Sequence, residues 1–290
     1  MTISIRKAFD NITSDKYDKK NILCCFVLLL ISFLCEAFMN ALKPGNPKTV
    51  STELSTILFY LFLIPIIINF LISGIFLVAT NNAIHKKLGV FPNPVLKISK
   101  IVFTSFKYIA GGILTFIVLM LPLLFVSIPI CLFPNNVVIM VIFSILGFAY
   151  MIFSAVMGFG LYFNFIQNLK FKSLFQYTKA LQFIKNAGSS GGTWLLKSIV
   201  LRILSILLLG FALIVIGILT GAVVSKEVIG SNAFVVIMTF IIVLIYCPMA
   251  VCQVDITGQF FAELRAKKIL PPLRKKQKEV EQVKTEEVTE

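Results

Sequence analysis

The sequence predicts an all-α, polytopic integral membrane protein whose six transmembrane helices form three hairpins, with amphipathic surface helices on the cytoplasmic side. Three observations predict it. The chain is 58% hydrophobic and only 14% charged, with a mean hydropathy of +0.94, which leaves too few polar side chains for a water-facing surface. Six apolar stretches each reach the roughly 20 residues that a helix needs to cross a bilayer. Of the 27 Lys and Arg, all but Lys43, Lys48 and Lys226 fall on one side of the alternating spans. That asymmetry marks the cytoplasmic face and requires an even number of crossings. Both termini are therefore expected in the cytoplasm and the protein in the inner (cell) membrane.

The amino-terminal stretch 1–21 sets Arg6, Lys7, Lys16, Lys19 and Lys20 beside Asp10, Asp15 and Asp18, with Ile3, Ile5, Phe9 and Ile12 between them. This mixture suits a segment lying on the membrane surface. No small-x-small cleavage pattern comes after it, so the first span, 22–42, is expected to stay uncleaved. Pro44, Gly45 and Pro47 forbid helix continuation in the next link. Span 2, 54–84, is longer than a bilayer requires and should tilt, kink at Pro65 or project into the interface. A second surface segment, 88–107, carries Pro92, Pro94, Lys97, Lys100 and Lys107. Span 3, 108–133, is expected to break near Pro122 and Pro129, and only Pro134, Asn135 and Asn136 separate it from span 4, 137–166. These two must be antiparallel neighbours.

The longest polar interruption is 167–197. At 100° per residue Phe171, Leu174, Phe175, Thr178 and Leu181 share one arc and Lys172, Gln176 and Lys179 the other, which predicts a helix lying in the headgroup layer. Lys170, Lys172, Lys179 and Lys185 are its candidate contacts to anionic lipid, and 188–192 is the corner into span 5, 194–224. Span 6, 232–261, contains Pro248, and Pro271 and Pro272 separate it from a charged tail.

The chain thus repeats one unit, in 1–87, 88–170 and 171–268, and the tail 269–290 is expected to be a disordered cytoplasmic segment. The spans leave the basic side near Ile22, Tyr108 and Trp194, about 86 residues apart each time, a regularity that internal duplication produces. The returning spans end in NNAIHKK from Asn81, NFIQNLK from Asn164 and FAELRAKK from Phe261. In this layout, over residues 1–268, the chain resembles uncharacterised six-pass membrane families of bacteria and archaea, and the membrane domain fused to some glycerophosphodiester phosphodiesterases. The phosphodiesterase barrel has no room here, so the resemblance implies a membrane domain without that activity.

A formal net charge of +14 would suggest nucleic acid in a soluble protein, but here the basic residues flank apolar spans. The expected partner is anionic lipid, and no nucleic acid. Cys24, Cys25, Cys35, Cys131, Cys247 and Cys252 lie in or beside apolar runs without CxxC spacing, and His85 is the single histidine. They read as small buried hydrophobes rather than metal ligands or disulfide partners, and no cofactor or metal is expected. The GSSGGT stretch from Gly188 lacks the lysine of a phosphate loop.

Polar groups inside the spans are the place to look for function, because a charge at the bilayer centre costs at least about 2.5–3.5 kcal/mol. Arg202 and Asp255 come into the membrane from the same side in adjacent spans and form a candidate pair; snorkelling apart and an ion relay are the alternatives. Glu36 is read as interfacial. Asn69 is a candidate cavity-lining residue, whereas Asn81, Asn82, Asn164, Gln167 and Gln253 fit interhelical hydrogen bonding better than a pore wall. Gly217 and Gly221 form a GxxxG through which two copies, or two helices of one copy, could pack. No nucleophile elbow, HExxH or His-centred triad is present. The leading expectation is a non-enzymatic accessory or scaffold protein of envelope or lipid organisation. The alternative is a small-solute transporter or channel with a cavity formed by Asn69, Arg202 and Asp255.

Overall fold

The computed structural model describes residues 3–12, 18–41, 52–87, 89–221 and 232–271. Among these the chain is helical, without strands. A short helix α1 (Ile5–Ile12) precedes six long ones: α2 (Lys19–Ala41), α3 (Thr52–Ile84), α4 (Ile98–Leu132), α5 (Val137–Asn168), α6 (Tyr177–Gly221) and α7 (Asn232–Ala266). Each of α2–α7 contains a stretch long and apolar enough to cross a membrane. The chain is a six-pass, all-α membrane protein. The tail from 272 on, Lys43 and the 222–231 link lie outside the described residues, as do the side chains of Gly217 and Gly221.

The six helices pack in sequence order, each against the next, and α7 closes back onto α2, so they form a ring. Lipid tails are as apolar as these side chains, so close packing and interhelical hydrogen bonds hold such a ring together. Both are concentrated at the end where the returning helices α3, α5 and α7 finish, here termed the basic end. There α3 crosses the ring to touch both α5 and α7. Gly258 of α7 lies so close to α3 that a Cβ on it would sit 3.1 Å from the Ala83 Cβ.

All three returning helices stop alike. Lys86, Leu169 and Lys268 adopt left-handed backbone with φ of 52°, 50° and 57°. After α3 the Lys86 N–H donates to the Ala83 carbonyl and the Lys87 N–H to Asn82, and after α7 Lys268 donates to Arg265 and Ile269 to Leu264. This pairing of bonds closes a helix end by satisfying its last carbonyls. After α5 the Leu169 N–H donates to Phe165. A polar side chain one turn earlier then ties each end to a neighbour. Asn81 Nδ2 donates to the Ile166 carbonyl at 2.7 Å, Asn164 Nδ2 to Ser173 at 2.8 Å, and Glu263 accepts from Ser190 Oγ at 2.8 Å. Arg265 Nη1 completes the set by donating to the last carbonyl of α3, Ile84, at 2.6 Å. The Asn81 and Asn164 amides thus serve as interhelical fasteners.

Three sequence expectations change. The segment 88–107 is not a separate surface element, because α4 begins at Ile98 and runs unbroken through Lys107. Val90 and Phe91 are buried, with Val90 accepting from Asn82 Nδ2 and Phe91 from Asn21 Nδ2. Nor do Pro122 and Pro129 break span 3: like Pro65 and Pro248, they sit inside continuous helices. Membrane helices tolerate proline where neighbours and local adjustments satisfy the freed carbonyls. In 167–197, residues Phe171–Phe175 form a 3-10 turn and a helical arm starts at Tyr177. Its buried side is Ser173, Leu174, Ala180 and Ala187, whereas Thr178 and Leu181 are exposed. The apolar arc is rotated from the expected one because a 3-10 turn, with three residues per turn, shifts the phase of the helical arm after it.

Candidate functional site

The corner of α6 is Gly188 alone, with φ 40° and ψ −123°, a conformation open only to glycine; Gly191 and Gly192 continue the helix. The turn therefore comes earlier than 192, and Arg202 sits roughly 21 Å along the helix beyond it, deeper than a span starting at Trp194 would put it. Asn69 lies at a similar depth, about 22 Å from the end of α3 at Ile84.

Between the helices at this depth is a cavity of about 910 Å³, to which all six spans contribute. Asn69, Ser73, Phe76 and Thr80 come from α3, Tyr108 from α4, Phe159 and Tyr162 from α5, Trp194, Arg202 and Ser205 from α6, and Tyr246, Gln253 and Thr257 from α7. Leu29 and Phe33 of α2 complete the wall. Towards the basic end the lining Trp194 is backed by an aromatic cluster, in which Phe163 meets it edge-on at 4.7 Å and also touches Phe183, Phe260 and Phe261.

Most polar groups of the wall are already engaged. Ser73, Thr80 and Ser205 donate to carbonyls of their own helices, at Asn69, Phe76 and Arg202. Gln253 Nε2 donates to Ser198 Oγ at 2.9 Å, and Trp194 Nε1 to Thr257 Oγ1 at 3.3 Å. These bonds set the antiparallel register of α6 and α7. The hydroxyls of Tyr108, Tyr162 and Tyr246 remain open towards the cavity, and so do two larger polar side chains. Among the described residues the Arg202 guanidinium and the Asn69 amide have no hydrogen-bond or ion-pair partner, and no Asp or Glu lines the cavity.

Asn69 and Arg202 are thus brought together in one cavity, but Asp255 is not. On α7 the cavity face carries Tyr246, Ala250, Gln253 and Thr257. Asp255 is about 200° of rotation beyond Gln253, which turns it to the opposite side. There its buried carboxylate accepts from Asn11 Nδ2 of α1 at 3.0 Å and from Gln259 Nε2 at 2.7 Å. Gln259 in turn holds the backbone of Ser4 through both its amide atoms. Asp255 is therefore a docking residue for α1, and the expected Arg202–Asp255 pair gives way to that arrangement. A double-mutant cycle with Arg202→Met and Asp255→Asn, read by thermal unfolding in detergent, should give a coupling below about 0.5 kcal/mol. A coupling above about 1 kcal/mol would mean that the charges pair after all.

Comparison with protein-family models, curated proteins and solved structures finds no match.

The remaining candidates lie elsewhere. Lys170, Lys172, Lys179 and Lys185 are all exposed at the basic end, on the 3-10 turn and the first arm of α6. The six cysteines are free thiols scattered over α2, α4 and α7. The aromatic wall is not evident in the sequence. Its one available signal there is that Tyr108 and Trp194, each at the start of an expected span, are amphipathic side chains at matching points of two repeats.

Proposed function

We propose that the protein is a non-enzymatic membrane carrier that holds a small solute between its six spans. Arg202 carries this reading. An arginine well inside a hydrocarbon layer roughly 30 Å thick is costly, and proteins that retain one generally give it a partner or a water-filled path. Here it faces a cavity with no protein anion among the described lining residues. The accessory or scaffold role, which the lack of a catalytic motif suggested, offers no reason for such a group. The basic end and the exposed lysines fit contact with anionic lipid, with that end in the cytoplasm of a cell-membrane protein.

The test uses Gly158, which lines the cavity and where an added Cβ would meet nothing within 4 Å. Gly158→Trp should intrude into the cavity and obstruct it while leaving unfolding within a few degrees of wild type. Wild-type proteoliposomes should show saturable counterflow with members of a panel of labelled anionic, neutral and cationic solutes, and the variant should lose it. Absence of saturable flux or binding across the panel, with both proteins folded, would return the protein to the scaffold class.

A further inference from the structure

We infer that the cavity takes an anionic amphiphile: one oxyanion head, carboxylate or phosphodiester, on an apolar body. The inference rests on the carrier reading above and names its ligand class. It comes from matching charge, polarity and size. Among the described residues the wall holds one cation and no carboxylate, so a bound molecule with a single negative charge neutralises it. A zwitterion or a cation would leave a positive group facing no anion, which is costly away from water. Guanidinium binds both candidate heads through paired, charge-assisted N–H donors. The Asn69 amide, at the same depth on α3, is free to add a donor.

Polarity limits the rest of the ligand. Ser73, Thr80, Ser205, Gln253 and Thr257 are already bonded to protein, and the open hydroxyls of Tyr108, Tyr162 and Tyr246 are each carried on an aromatic ring, so together with Phe33, Phe76 and Phe159 the wall presents mainly ring surface to the body of the ligand. Volume excludes a bare inorganic anion as a fitted occupant. About 910 Å³ lies high in the roughly 300–1,000 Å³ range of sites that enclose small organic molecules. An inorganic anion would occupy a corner of it and leave the apolar wall uncovered.

The full chain, purified in a non-ionic detergent, is titrated with oleate, phosphatidylglycerol, oleyl alcohol, oleylamine and inorganic phosphate. Binding is read by calorimetry and by the shift in unfolding temperature. Oleate or phosphatidylglycerol should bind saturably, the alcohol and the amine at least about tenfold more weakly, and phosphate not at all. Binding of oleate alone identifies a free acid as the source, and of phosphatidylglycerol alone the bilayer's own lipid. Arg202→Gln should weaken the anions by about tenfold or more and Arg202→Lys by less. Because Arg202 has no hydrogen-bond or ion-pair partner among the described residues, the ligand-free Arg202→Gln protein should be as stable as wild type or more so, which a merely structural arginine would not allow. If the alcohol or amine binds as tightly as oleate, or if Arg202→Gln leaves oleate affinity intact, the ligand class is overturned. Gly158→Trp separates the two readings: if it abolishes the alcohol's binding, the cavity is still the site, and if it changes no amphiphile's binding, the carrier reading falls as well.

Discussion

Phe163→Ala is expected to lower stability by roughly 3 kcal/mol, the lower end of what truncating a buried aromatic costs. The ring is 5% exposed and is surrounded by Phe183, Trp194, Phe260 and Phe261, with centroids between 4.7 and 5.8 Å away. In water such a deletion costs both transfer free energy and the cavity left behind. In lipid the unfolded reference is itself apolar, so the transfer part shrinks and lost dispersion contacts dominate. Four rigid rings drawn from α6 and α7 cannot collapse into the gap without moving both helices, which keeps the cavity part large. The chain's single tryptophan is the edge partner at 4.7 Å, so its fluorescence reports directly on the damaged cluster. Phe153→Ala, at a ring 47% exposed on the outside of α5, is the matched control and should change stability by less than about 0.5 kcal/mol. Equal effects at the two positions would mean that Phe163 does not sit in a closed cluster.

The spans are legible in the sequence because crossing a bilayer imposes length and hydropathy on each stretch separately. Pro134 to Asn136 likewise mark a hairpin that recurs in the structure, with Asn136 capping α5 by accepting from the Ile139 N–H. The inward faces are much less legible. A soluble helix announces its core by an apolar stripe, whereas α3 and α7 are apolar towards lipid and towards the bundle alike, so periodicity carries little information. Asp255 shows the consequence. Its depth matches that of a partner for Arg202, but the half-turn that carries it to α1 can be judged only once Gln253 is known to face the cavity. The same limit applies to Asn69 and Asn81, two asparagines on one helix. Asn81 meets the carbonyls of Ile166 and Gln167, while Asn69 meets a void, and only the crossing of α3 over α5 separates those outcomes. Lys107 resembles a span boundary because lysines usually mark the interface, yet α4 passes through it.

At Gly74 and Gly112 the same limit becomes a difference in sign. Both are glycines inside long apolar helices, and on helix propensity alone either should gain about 0.5–1 kcal/mol when changed to alanine. At Gly74 the added Cβ would overlap the Ser105 hydroxyl and stand 2.5 Å from the Ile101 carbonyl oxygen, at the crossing of α3 and α4. The carbonyl belongs to the backbone of α4 and cannot rotate away, and Ser105 is held there by donating to the Phe70 carbonyl at 2.7 Å. Accommodating one methyl therefore requires separating the helices and loosening that bond, at about 2–3 kcal/mol, and Gly74→Leu should leave little folded monomer. At Gly112 a Cβ would meet nothing within 4 Å, so Gly112→Ala should be neutral or stabilising. Unfolding temperature and the monomer peak in gel filtration read both variants. Opposite signs are the expected result, and a shift in the same direction would reject the close crossing of α3 on α4 that forms one wall of the ring.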